Sequence, residues 1–321
     1  MARTTPPRPF DIAEVFPELH KHRGTTTRLH PRTGTPTIAD SSIGGPLLWP
    51  ADEPWPMCTD GDEHDVDTLL RPAVVRRSRE IRAKANASSW SALTDEERAE
   101  LPETRFSEPE ELIHQPVPLI PVAQLYRRDI PDFIGPDDTD LLQVLWCPLG
   151  HVDEDQAPRL RLVWRRTAEI GRPLPAAPEP AVVEEDYLPN PCVVHPEQFV
   201  DHRYHEVLPK DLQARIDAWE KETDGPGYSV WSVVPGWKVG GFPSWRMTGP
   251  GTMTCETCDT EMNLLFTVGW GEWDEAGHWR PIEDPADLAD PLTDIVIGRG
   301  FDWYVFYCPV SFDHPHATVM P

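Results

Sequence analysis

Cys255 and Cys258 stand two residues apart in GTMTCETCDTEMNLLFTV, just ahead of an apolar run. Two thiolates at that spacing can chelate one Zn²⁺ from a tight turn, and a structural site then needs two further ligands. Cys308, closing WYVFYCP, is the natural third. His314 or His316 follows it and could complete a Cys₃His set, with His314 taken as the fourth ligand. A lone C-x-x-C is only half a zinc signature, so buried or simply reduced cysteines remain an open alternative to a structural zinc. A redox role fits less well, because no βαβ context surrounds the pair. Nearer the amino terminus, Cys147 and His151 in WCPLGH, with Cys58 and His64, form a weaker counterpart, drawn from distant positions without a chelating pair. Cys192, beside Pro191, reads as a packed residue.

Other chemistry finds little support. There is no G-x-S-x-G elbow, no H-E-x-x-H helix and no phosphate-cradling G-x-x-x-x-G-K, so no catalytic residue is assigned. Gly298-Arg299-Gly300 reads as a turn, and His195, His202 and His205 as satisfied or surface histidines. The run Asp60, Asp62, Glu63, His64, Asp65 and Asp67 lacks the spacing and glycine of a calcium loop and reads as solvated, as do Asp137, Asp138 and Asp140. Binding is better served. Trp49 and Trp55 lie near one Gly-Gly turn, Trp237 and Trp245 near another, and Gln124 could offer its amide to a peptide backbone. Such rings either line a shared groove or plug the core beneath the turns.

The formal net charge is -25, with 29 basic and 54 acidic residues. That balance opposes nucleic-acid binding, which needs clustered Lys and Arg. Residues 71–84, RPAVVRRSREIRAK, alternate basic with apolar side chains and read as a solvated helix face. The acidity suits a basic protein client, or only solubility. The opening MARTTPPRPFDIAEVF lacks the apolar core of a secretory signal, and no run is long enough to span a bilayer. A cytoplasmic chain with six reduced cysteines is therefore expected.

The elements that must position these residues are mostly short strands. Thirty-eight prolines disfavour long helices, since each removes a donor and fixes φ. The expected class is mainly β (α+β), with two related halves in one compact unit. Residues 1–27 form an N-terminal helix and lead-in, with the helix in 10–22 broken near Pro17. Residues 28–170 form the first half, with a helical insertion at about 60–115. In that insertion Thr94 with Glu97 makes a capping box, and Ser107 with Glu110 repeats the signal. Residues 117–126, 141–147 and 159–165 read as strands. Residues 171–227 form a Pro-rich linker and a helix, and 228–321 the second half with its C-x-x-C.

A weak repeat organises the whole. Gly44-Gly45-Pro46 answers Gly240-Gly241 and Pro243; Cys58 answers Cys255; residues 117–126 answer 262–268; LQVLWCP answers WYVFYCP. SSIGGPLLWPADEPWPMC, PVAQLYRRDIPDF, LLQVLWCP, GWKVGGFPSW, the C-x-x-C and VFYCP together resemble the YwqG-like family, a bacterial domain of unknown function, over roughly residues 28–316. That family is similar at a distance to the programmed-cell-death-two and ribosome-assembly proteins, which hold a ribosomal protein. The resemblance implies a mostly β module that binds a protein or peptide and has no chemistry of its own. Neighbouring toxin systems in the family imply an immunity role as an alternative, and a hydrolase acting between the halves is the rival from another class. The chain departs from the family where Cys58 is followed by Thr59-Asp60-Gly61 and a second cysteine is missing.

Overall fold

The computed structural model describes residues 2–103, 105, 108–245, 249–274, 276–288, 290, 292–297 and 300–320. The expected cap at Ser107 and the turn at Gly298-Arg299 lie outside the described residues. The first eight strands are β1 (Arg23–Arg28), β2 (Arg32–Thr33), β3 (Ser42–Ile43), β4 (Met57–Cys58), β5 (Val117–Pro118), β6 (Ile120–Tyr126), β7 (Leu141–Gly150) and β8 (Pro158–Arg165). Six more follow: β9 (Cys192–Val193), β10 (Glu197–His202), β11 (Lys238–Gly240), β12 (Asn263–Val268), β13 (Trp303–Tyr307) and β14 (Ala317–Val319). The protein is mainly β, with two six-stranded antiparallel sheets and one two-stranded ribbon.

One sheet runs β2-β9-β3-β6-β7-β8, the other β10-β1-β11-β12-β13-β14. Exchanging β1 with β9, β2 with β10, β3 with β11, and β6, β7, β8 with β12, β13, β14 turns one order into the other. The duplication therefore extends to topology. It also extends to register. β6 and β7 slip by one residue between Pro121 and Ala123, and β12 and β13 slip in the same place, between Leu264 and Phe266. The ribbon pair Met57–Pro118 has its counterpart in the bridge Thr254–Glu261. Gly44, just past β3, and Gly240, the last residue of the equivalent β11, have φ of 64° and 71°, a left-handed conformation that glycine reaches without strain.

The two halves exchange their first strands. β1 belongs to the second-half sheet but runs on through Leu29-His30-Pro31 into the first-half sheet at β2. β9 belongs to the first-half sheet and runs on through Val194-His195-Pro196 into β10 of the other. The stretches expected as lead-in and linker thus carry strands of both sheets. The crossing is polar and buried: His30 contacts Glu272 through Nδ1 and Glu197 through Nε2 at 3.1 Å, while Arg28 donates to the Glu272 carbonyl at 2.7 Å and Arg32 pairs with Glu272 and Asp284. Desolvated charges persist only when paired in this way.

Between the sheets lies a single apolar layer. Ile43, Val122, Leu142 and Val144 from one face meet Val239, Leu265, Val268 and Val305 from the other. Trp146 and Trp303 cross edge to face at 5.9 Å in its middle. Helices sit outside. α1 (Ile12–Val15) gives way at Pro17 to a 3₁₀ turn, Pro17–Lys21, as expected. In the insertion, α2 (Pro72–Ala87) buries Val75, Ser78, Ile81 and Ala85, one stripe at helical spacing. α3 (Asp95–Glu100) starts at the capping box of Thr94 and Glu97. α4 (Lys210–Glu222) and α5 (Tyr228–Ser232) pack Leu212, Ile216 and Tyr228 against Ile12 and Leu19.

Candidate metal centres

The antiparallel bridge between Thr254 and Glu261 closes a tight knuckle. Cys255 N–H donates to the Thr260 carbonyl at 2.9 Å, Asp259 N–H donates back to Cys255 at 2.9 Å, and Asp259 turns the chain at φ 53°. The knuckle presents Cys255 and Cys258 beside the end of β13, where Cys308 follows Tyr307. His314 comes back from the next loop. Cys258 Sγ lies 3.5 Å from Cys308 Sγ, and His314 Nδ1 lies 3.3 Å from Cys308 Sγ and 3.5 Å from Cys255 Sγ. The four residues expected to meet here do meet, with all four ligand atoms within 4.8 Å of one another.

A second tetrad occupies the equivalent place in the first half: Cys58, His64, Cys147 and His151, again within 4.8 Å and all buried. Cys58 ends the ribbon strand β4, and Cys147 sits in β7 four residues past Gln143, as Cys308 sits four past Tyr304. His64 Nε2 lies 3.4 Å from both Cys58 Sγ and Cys147 Sγ, and His151 Nε2 lies 3.7 Å from Cys58 Sγ. The missing second cysteine is replaced by His64. A 3₁₀ turn, Gly61–Glu63, brings it round, and its backbone bridges His151. His64 Nδ1 donates to the Ile113 carbonyl at 2.5 Å, which leaves Nε2 as the bare nitrogen facing the sulfurs. These are the four residues of the weaker counterpart expected from the sequence, drawn from distant positions without a chelating pair and brought together by the fold.

Both sets fit a tetrahedral ion. With Zn–S of about 2.3 Å and Zn–N of about 2.0–2.1 Å, the edges of such a site are about 3.8 Å between sulfurs and about 3.6 Å between sulfur and nitrogen. The observed separations cluster around those edges, and thiolate with imidazole is the donor set that selects zinc-like ions. Each set also holds one acidic and one reluctant thiol. Close polar contacts with Cys147, His151 and His64 hold Cys58 far below the ordinary thiol range, while burial pushes Cys147 up. Hydrogen bonding to Thr260 brings Cys258 down to about 6, and burial raises Cys308.

The tryptophans and Gln124 do not line one shared groove; of the two readings offered for the rings, the core plug describes most of them. Trp49 and Trp55 pack 5.0 Å apart in the cluster around Cys58 and Cys147. Trp245 stacks on Phe306 in the cluster around Cys255 and Cys308. Trp237 is buried in the central layer. Gln124 is fully buried: its Oε1 accepts from Leu48 N–H at 2.7 Å, and its Nε2 donates to the Ile38 and Asp40 carbonyls. Its amide is spent on its own loop. Trp49, Trp55 and Trp237 are plugs under the turns or between the sheets, whereas Trp245, beside the metal-ligand cluster of the second half, also lines an outer cleft with Phe306.

Concave space occurs on the outer faces instead. A cleft of about 790 Å³ lies over Gly240 and Gly241, and a cavity of about 560 Å³ lies beneath Trp270 and Trp279. Among the described residues no helix is long and apolar enough to cross a membrane. No protein-family model matches the chain, and no curated protein matches it either.

Proposed function

We propose that this chain is a non-catalytic binding module of the YwqG-like kind, each half stapled by one zinc ion, and that it holds a basic polypeptide client. The pair of Cys/His tetrads, one fully buried and one half-buried at Cys258 and His314, carries this reading. Each supplies four protein ligands, the closed arrangement of a structural rather than a catalytic site. In each half the ion clamps a loop to the end of the sheet's long strand. The net charge of -25 favours a cationic partner.

The hydrolase alternative needs titratable groups in reach of one another and of a substrate. Beside the 560 Å³ cavity, Asp302 and Tyr304 lie 3.3 Å apart. The Tyr304 hydroxyl is engaged there, donating to the Ser244 carbonyl at 2.8 Å and accepting from its N–H at 3.0 Å, which favours a holding role. Immobilised chain in native lysate is expected to retain basic proteins at low salt and to release them as salt rises. Recovery of no basic protein at low salt would overturn the reading.

A further inference from the structure

The duplication allows the same row of residues to be compared in its two settings. Strand pairing sets Ser42, Gln124 and Gln143 across one sheet against Lys238, Thr267 and Tyr304 across the other. In the first half the row is covered. Arg165, from β8, donates Nε to Gln143 Oε1 at 2.7 Å and grips the Glu53 carboxylate with both terminal nitrogens at 2.7 and 2.8 Å. Its guanidinium carbon lies 4.2 Å from the centre of a Trp49 ring. An arginine is thus held between an indole and a carboxylate.

In the second half the same row floors the cavity of about 560 Å³. β14 replaces β8 there, and Arg165 has no counterpart among its described residues. The Thr267 hydroxyl is buried without a hydrogen-bond partner, whereas its counterpart Gln124 is saturated. An indole and a carboxylate again line one space: Trp270, 45 % exposed, and Asp302 both border the cavity, and the Trp270 backbone N–H donates to Asp302 at 3.2 Å. Asp274 and Asp290 also line the cavity. Lys238 is its sole Lys or Arg among the described residues, and it is neutralised by Asp201 at 2.7 Å. The space is acidic and aromatic, which is the chemistry that attracts a guanidinium.

We propose that this cavity receives an arginine side chain of the client, seated against Trp270 and Asp302 as Arg165 is seated against Trp49 and Glu53. The proposal rests on the client-holding reading and names the side chain that it would recognise. Calorimetric titration of the full chain with a short acetylated arginine peptide, and with its citrulline twin, tests it. The arginine peptide is expected to bind at least about tenfold more tightly than the neutral twin. Asp302→Asn and Trp270→Ala are each expected to weaken it by about tenfold or more. Trp270 is half exposed, so its variant keeps the test decisive if Asp302→Asn melts early.

Equal binding of the two peptides, or undiminished binding by both variants with wild-type melting curves, would overturn the proposal. Retention of basic clients by both variants at the wild-type level would reject the cavity while leaving the holding reading intact. Loss of clients by the variants but not by wild type would support both.

Discussion

A buried residue is defined by what its polar atoms have left to do. Gln124 and Trp49 have types common in binding sites, yet their hydrogen bonds and faces are already committed inside the fold. Nothing in residue type or local spacing distinguishes a committed amide from a free one, so this part of the site could not be read from the chain. Glu184 is the opposite case. It is buried, its Oε2 has no partner, and burial, with Asp67 and Asp186 nearby, pushes its carboxyl up to about 8. Between an unfolded value near 4.5 and the folded value near 8, the unfolded chain has released this proton while the folded one retains it. Stability should therefore fall as pH rises through that window and level off above it. Glu184→Gln keeps the acceptor for Asp67 N–H and removes the penalty. Urea titrations are expected to show a gain of roughly 1–3 kcal/mol at pH 8 and little change near pH 4. Destabilisation at pH 8 would contradict this account of the residue.

Elements with clear local signals were legible: the capped α3, the helical insertion that holds α2, and the strands β6, β7 and β8 all lie where the sequence places them. The exchanged strands were not. β1 is RGTTTR and β9 only two residues long, so neither carries the apolar alternation that marks a strand. The echo of Leu29-His30-Pro31 in Val194-His195-Pro196 becomes visible only once topology pairs them. Between the strands the tight turns leave little room. Gly241, at φ +75°, has no space for a side chain: an added Cβ would run into Asp201 Oδ2 and sit 2.9 Å from Thr26 Cβ. That carboxylate already accepts from Lys238 and from Phe242 N–H. Gly241→Ala should cost about 2–4 kcal/mol in chemical denaturation. Gly171→Ala, with nothing within 4 Å of the new atom, should be close to neutral.

At the scale of the molecule, duplication explains why metal-ligand sets appear twice. Each half closes the end of its sheet with a ribbon or knuckle, and the cysteine there meets a cysteine at the far end of the neighbouring long strand. The second half kept a chelating C-x-x-C, legible as such; the first replaced one thiol with His64 beyond a 3₁₀ turn, and its ligands converge only in the fold. Because the halves also share one apolar layer and exchange strands, loss of either ion is expected to weaken the whole rather than release one lobe. Metal analysis of the purified chain, alongside Cys58→Ser and Cys255→Ser, tests the central claim most directly. Two zinc ions per chain are expected, falling to one in each variant. A chain that folds without zinc, or variants that both retain two ions, would contradict it.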